Sequence, residues 1–284
     1  MPIELRPTTP ADVPELGRIC YEAFKDISES HGFPTDFPTI EFAQQVVGML
    51  VQQEDVYGVG AFDQSAAKGS NYLNMWGDAA GIGPVSVDVS SQGEGIGRKL
   101  MEDVLKHARE RGHDMVRLCQ DAFNMQSLAL YASVGFDTKE PIALLALSAG
   151  AGADDNVRPA TPADFDGMDD LCRSVYRISR KGEYAALTSL GFPAFVLDRG
   201  GHIAGYLIGT LIGHGVAETE DGMLALLNTQ AANVPDAHSF VPLRDGELYR
   251  KALAAGHRNV KVMNLMAYGP YDEPQGTYCP SVMF

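Results

Sequence analysis

The sequence predicts an α/β chain of mixed α+β character built as two related domains, each a sheet flanked by helices, and three observations carry that prediction. Segments with strand periodicity alternate with segments of helical periodicity through most of the chain. The heptapeptide Arg6-Pro7-Thr8-Thr9-Pro10-Ala11-Asp12 returns as Arg158-Pro159-Ala160-Thr161-Pro162-Ala163-Asp164, and Cys20 then falls in register with Cys172. One strand-to-helix junction, Gln92-Gly93-Glu94-Gly95-Ile96-Gly97-Arg98, carries three alternating glycines. At 284 residues the chain exceeds a single domain of ~100–200 residues and can bury two moderate cores.

Taken in order, each repeat opens as a short strand, a turn and a helix. Thr then Pro marks the helix start, with Asp in the first turn to offset the dipole. The first copy then predicts helical segments near Pro10–Ser30 and Thr39–Gln53 and strands near Val56–Asp63, Tyr72–Trp76 and Val85–Val89. The glycine loop, a helix over 96–111, a strand Met115–Gln120, a helix bearing Tyr131 and a final strand Pro141–Leu147 follow. These give a first domain over 1–148, and the small, polar residues of 149–156 read as its linker.

The second domain, 157–284, predicts strands at Pro193–Asp198, His202–Thr210 and Met223–Gln230, a helix from Gly246 to Ala255 and a strand Asn259–Ala267. It lacks a glycine loop. At the expected place stands Ala231 to Leu243, where prolines remove N–H donors and bulky side chains block close approach. A helix equivalent to the one bearing Tyr131 is also expected to be missing.

Three glycines in five residues leave almost no side-chain bulk, so successive backbone N–H groups can approach an anion at the positive end of the next helix. Two nucleotide-binding patterns fail on spacing. A Walker loop needs Gly-Lys-Ser/Thr where Arg98-Lys99-Leu100 stands, and a dinucleotide fingerprint needs a glycine where Arg98 stands. Gln-x-x-Gly-x-Gly after a strand resembles the acetyl-CoA signature of the GNAT N-acetyltransferases, Gln/Arg-x-x-Gly-x-Gly/Ala. About 30 residues on, Asn124-Met125-Gln126-Ser127-Leu128-Ala129-Leu130-Tyr131-Ala132-Ser133-Val134-Gly135-Phe136 resembles that family's second block, Asn-x-x-(small)-x-x-Leu-Tyr-x-x-x-Gly-Phe. Two blocks in order are far more specific than either alone. The repeat further resembles tandem members of the family with one degenerate copy.

The resemblance implies acetyl transfer from acetyl-CoA, as donor substrate, to a primary amine of a small molecule or peptide by direct attack on the thioester. It assigns the CoA pyrophosphate to Gln92, Gly93, Glu94, Gly95, Ile96, Gly97 and Arg98. The thioester carbonyl falls to the strand end at Val87 and Val89, the pantetheine arm to Asn124 and Ser127, and protonation of the departing thiolate to Tyr131. A general base is required and not identified; Asp88 is nearest in sequence, with Glu54, Asp55 and Asp78 as further candidates. Each residue also has a structural reading: Asn124 as a helix N-cap, and Tyr131 as a core aromatic at helical spacing from Leu128 and Val134. Lys99 reads as part of a solvated helix face. A non-catalytic acyl-CoA sensor and a longer-chain acyltransferase stay open beside acetyl transfer. The resemblance also implies that the segment His31 to Pro38 borders the acceptor groove; an ordinary ordered loop is the other reading.

The net charge of −15 argues against a phosphate-backbone partner and favours a cationic substrate. Cys20, Cys119, Cys172 and Cys279 are widely spaced and predict free, buried thiols. Neither they nor the seven histidines have metal-ligand spacing, so no metal site is predicted. The longest apolar run, around Ile142 to Ala153, is short of the ~20 residues of a membrane span. A soluble, cytoplasmic monomer or homodimer with one cofactor site, in the first half, is the expectation.

Overall fold

The computed structural model describes residues 3–149, 154–209 and 211–282. Thr210, the expected end of a strand, and 150–153 of the expected linker lie outside these residues.

The repeated heptapeptide builds the same local device twice. After β1 (Glu4–Pro7), Thr9 and Asp12 form a reciprocal capping box over a single 3-10 turn. Arg6 adds a two-pronged grip on Asp12 at 2.9 and 2.7 Å. After β8 (Val157–Pro159), Thr161 and Asp164 repeat the box, and Arg158 grips Asp164 at 2.9 and 2.7 Å. The arginine bonds hold both aspartates well below the usual carboxylate range. Each device orients the helix that follows, α1 (Val13–Ser30) in the first copy and α5 (Phe165–Tyr176) in the second.

The first copy continues through α2 (Ile40–Gln52), capped by Thr39, to β2 (Val56–Asp63) and β3 (Ala66–Asn74). Next come β4 (Ala80–Ile82), β5 (Ser86–Val87), α3 (Ile96–Glu110), β6 (Val116–Asp121), α4 (Met125–Ser133) and β7 (Asp137–Ala146). The second copy adds α6 (Lys181–Ser189), β9 (Ala194–Asp198), β10 (Ile203–Ile208) and β11 (Gly215–Ala217). It closes with α7 (Glu220–Asn233), β12 (His238–Pro242), α8 (Gly246–Ala254), β13 (Arg258–Tyr268) and β14 (Thr277–Cys279).

Three expectations for the second copy are corrected. Met223–Gln230 is not a strand but the middle of α7, whose Thr219 side chain accepts from Gly222 N–H at 3.1 Å and whose first turn holds Glu220 and Asp221. Residues 222–223 and 226–230 are all buried, so the helix shows no polar face to mark its period. The stretch 231–243 is not the site of a lost loop: it contains β12. The second copy's counterpart of the glycine loop is the start of α7, where Glu218, Glu220 and Asp221 would repel a phosphate.

The helix bearing Tyr131 also has a counterpart, α8. Asp245 caps it as Asn124 caps α4, each accepting at 3.0 Å, and Gly256 and Gly135 both end the turn after it with positive φ. At the same offset Ala252 stands where α4 has Tyr131.

The larger sheet runs β1-β2-β3-β4-β6-β13-β7-β12, with β5 beside β3; the smaller runs β14-β11-β10-β9-β8. β13 comes from the C-terminal copy yet lies between β6 and β7, with Leu265 registered to Cys119 on one side and Glu140 on the other. β12 covers the far side of β7, Phe240 opposite Leu144. Both partners of β7 thus come from the other copy. A buried apolar cluster joins Ile142 and Leu144 to Leu265, Met168, Tyr184 and Tyr206, so one core spans the repeat. α6, which the sequence reading missed, seats against the first copy. Gly182 packs so closely on the Trp76 carbonyl that a Cβ would sit 1.9 Å from its oxygen, and Asp78 accepts from Ser179 N–H at 2.7 Å.

Candidate active site

β4 and β6 run parallel but pair over only two residues, Ala80 with Val116 and Gly81 with Arg117. β5 turns away to pair with β3 while β6 continues to Asp121. The divergence opens a cavity of about 850 Å³, in the range of small-molecule and cofactor sites.

The glycine loop forms one wall. Gly93 and Gly95 have φ of 83° and 81°, a region other residues avoid, and nothing lies within 4 Å of where a Cβ would stand. Gln92 Nε2 donates to the Val87 carbonyl at 3.3 Å, tying the loop to β5. α3 starts immediately after Gly95, so its first N–H groups have no acceptor within the helix. Gly97 lets α3 approach α4: a Cβ there would sit 3.1 Å from Leu130. Gln92, Gly93, Gly95, Ile96, Gly97 and Arg98 all line the cavity, as does Val87. Glu94 and Val89 are not among the lining residues, and Val89 is exposed. Arg98 is held by Ser133 Oγ at 2.7 Å.

The opposite wall is the start of α4. Asn124 Oδ1 caps the helix by accepting from Ser127 N–H at 3.0 Å, so its capping role is real. It lines the cavity as well. Gln120 Nε2 donates to Asn124 O at 2.7 Å and to Ser127 Oγ at 3.0 Å, and Asn264 of β13 donates to Gln120 Oε1 at 2.9 Å. Tyr131, 9% exposed, lies on the same wall. Burial, with the Asp121 charge, raises its phenol above the usual range, so it keeps its proton through neutral pH.

Asp88 is not brought to the cavity. Its carboxylate accepts from Ser90 Oγ and, at 3.0 Å, from Ser90 N–H, with Arg18 3.8 Å away. The Ser90 bond lowers its pKa, which makes it a weaker base and a cap for the turn after β5. Glu54, Asp55 and Asp78 do not line the cavity either. Cys119 does, but its thiol points to the Ser281 carbonyl at 3.3 Å, and burial pushes it up to about 12. Among the described residues no group of three or more His, Cys, Asp or Glu side chains could hold a metal.

Sequence reasoning missed the carboxylates that do reach the cavity, Asp36, Asp121 and Asp236. Between the first two Lys261 of β13, 2% exposed, donates to Asp36 at 2.6 Å and forms an ion pair with Asp121 at 2.7 Å. Burial pulls the Lys261 ammonium down, but the two carboxylates outweigh it and leave its pKa raised. Burial raises Asp121 despite the lysine. No local spacing could signal a cluster drawn from the loop after α1, the end of β6 and the second copy.

Residues 6–136 match the acetyltransferase (GNAT) family. They form a GNAT domain. A curated relative, the mycothiol acetyltransferase of Saccharomonospora viridis, is 39% identical over 56 residues, which is 20% of this chain and 18% of that protein. The match thus spans about a fifth of that relative's length. Among solved structures, a putative acetyltransferase from Pyrococcus horikoshii superposes with a TM-score of 0.80 over 99% of this chain and 94% of that one, at 17% identity. A tandem GNAT protein from the clavulanic acid biosynthesis pathway superposes at 0.60 over 95% and 100%, at 14% identity. At such identities the likeness is one of fold: two GNAT-like domains in tandem, the second degenerate.

Proposed function

We propose that this chain transfers an acetyl group from acetyl-CoA to a primary amine of a small molecule or peptide, by direct attack on the thioester. The observation that carries the reading is the cradle. Two left-handed glycines with open space above them precede a helix whose first N–H groups face a cavity of cofactor size. Its residues fit CoA: the backbone N–H groups from Gly93 to Arg98 suit the pyrophosphate, and the Asn124–Ser127 wall suits the pantetheine arm. The end of β5 at Val87 is the place for the thioester carbonyl. Tyr131, protonated and on the cavity wall, is the acid for the departing thiolate.

The second copy supports a single CoA site per chain, since acidic residues replace the cradle and Ala252 replaces the tyrosine. Its side chains still wall the cavity, Phe192, Leu211 and Phe240 among them. The test is release of free CoA thiol against a panel of amines, with Tyr131→Phe as control. The variant is expected to lose about 10²–10⁴-fold in kcat, the usual worth of a positioned acid, with little change in acetyl-CoA affinity. An unchanged rate removes the acid role alone. CoA binding without turnover on any amine favours a non-catalytic acyl-CoA sensor instead.

A further inference from the structure

Beyond the glycine loop the cavity changes character. Phe24, Phe37, Phe42 and Met49 line it from the first copy and Leu211 and Ile212 from the second, while Asp36 and Asp121 face it as an acidic pair. Lys261 is not a lining residue; it sits behind them, paired with both. Within the Lys261 cluster two carboxylates against one ammonium leave one negative charge beside the apolar wall, and Asp236 lines the cavity as a separate carboxylate. Phe33 stacked on Phe123 at 4.4 Å helps hold the Asp36 loop to the end of β6. The Asp121 charge is felt by the Tyr131 phenol, so the acidic pair and the proposed acid serve one region.

Resting on the acetyltransferase reading above, we propose that the acceptor is an apolar monoamine whose ammonium is received by Asp36 and Asp121, with Asp121 as base and Lys261 as positioning residue. The remaining negative charge matches one ammonium, and the surrounding phenylalanines match an aryl or alkyl arm. A second cationic centre set against the Phe24, Phe37 and Met49 wall would be stranded among apolar side chains. In the step, Asp121 takes one proton from the ammonium. The freed amine lone pair forms the C–N bond to the acetyl carbon, and the C–S bond breaks. The thiolate takes a proton from Tyr131. The second amine proton leaves the new amide nitrogen and restores the phenol, and Asp121 returns its proton to water.

The test uses the full chain with acetyl-CoA and four amines: hexylamine, phenethylamine, spermidine and a short peptide with a free N-terminus. Expected are turnover of the two apolar monoamines at least tenfold above the others, and a gain of about fourfold in kcat/KM per added methylene along an n-alkylamine series. Asp121→Asn should raise KM for the amine and lower kcat at least about 100-fold. Asp121→Glu should restore part of the loss, and CoA affinity measured by calorimetry should be unchanged in both variants, which reports that they fold. Lys261→Met should raise amine KM more than it lowers kcat. Preference for spermidine or the peptide overturns the acceptor class and leaves the acetyltransferase reading standing. Wild-type kinetics in Asp121→Asn overturn the role of the acidic pair. Bound CoA with no thiol release on any amine overturns both readings.

Discussion

Cutting the chain after Ser148 should destroy the N-terminal half rather than release it. β7 is paired on one side with β13 and on the other with β12, both from the second copy. Removing them uncovers Ile142, Leu144 and Leu145, which are 0%, 5% and 0% exposed. At about 1.5–3 kcal/mol for each large apolar side chain, the loss is roughly 5–9 kcal/mol before any backbone hydrogen bond is counted. The net stability of a domain is only about 5–15 kcal/mol. The bared edges of β6 and β7 are also templates for association. Fragment 1–148 should therefore be insoluble or unfolded, with no cooperative transition in urea, whereas the full chain unfolds with loss of both copies together. A soluble 1–148 fragment that melts cooperatively and binds CoA would refute the argument that exchanged strands fuse the copies into one folding unit.

Three further outcomes follow from single sites. Gly95→Ala places a side chain at φ 81°, which costs roughly 1–2 kcal/mol in strain. Relaxing the loop to relieve it should disturb at least one N–H bond to a charged phosphate, worth about 1.5–3 kcal/mol, so CoA affinity should fall about 10- to 100-fold by calorimetry while the fold persists. Arg180, 1% exposed, holds Glu183 at 2.8 Å, so Arg180→Met leaves a buried carboxylate facing only His214 and should cost about 3–5 kcal/mol, read from the urea midpoint. His214 has Glu183 2.9 Å from Nδ1 and Tyr206 2.9 Å from Nε2, and burial, followed by the Arg180 charge, lowers its pKa from 6.5 to about 4. The folded state therefore binds fewer protons than the unfolded one in that window. This contribution is full above pH 6.5 and is lost as pH falls toward 4, at up to about 1.4 kcal/mol per pH unit, and His214→Gln should flatten the decline in urea midpoint.

Local signals were legible and long-range ones were not. Thr9 and Thr161, each followed by Pro and Asp, announce helix starts because capping chemistry is contained in a few residues. The glycine loop and the Asn124 block could be placed on a strand-turn-helix frame for the same reason. α7 was misread because burial of its central run erases the polar face that distinguishes a helix from a strand. The exchange of β13 had no local mark: a strand buried on both sides looks alike whichever neighbours bury it. The Asp36–Lys261–Asp121 cluster joins residues far apart in sequence, and only the exchanged strand brings Lys261 to the first copy's cavity.

On the proposed reading, one glycine cradle, in the first copy, makes this tandem chain a CoA-dependent enzyme with one donor site. Calorimetric titration of CoA into the full chain tests it most directly. One mole of CoA bound per mole of chain, abolished or greatly weakened by Gly95→Ala, is the predicted result; two sites per chain, or binding indifferent to that substitution, would contradict it.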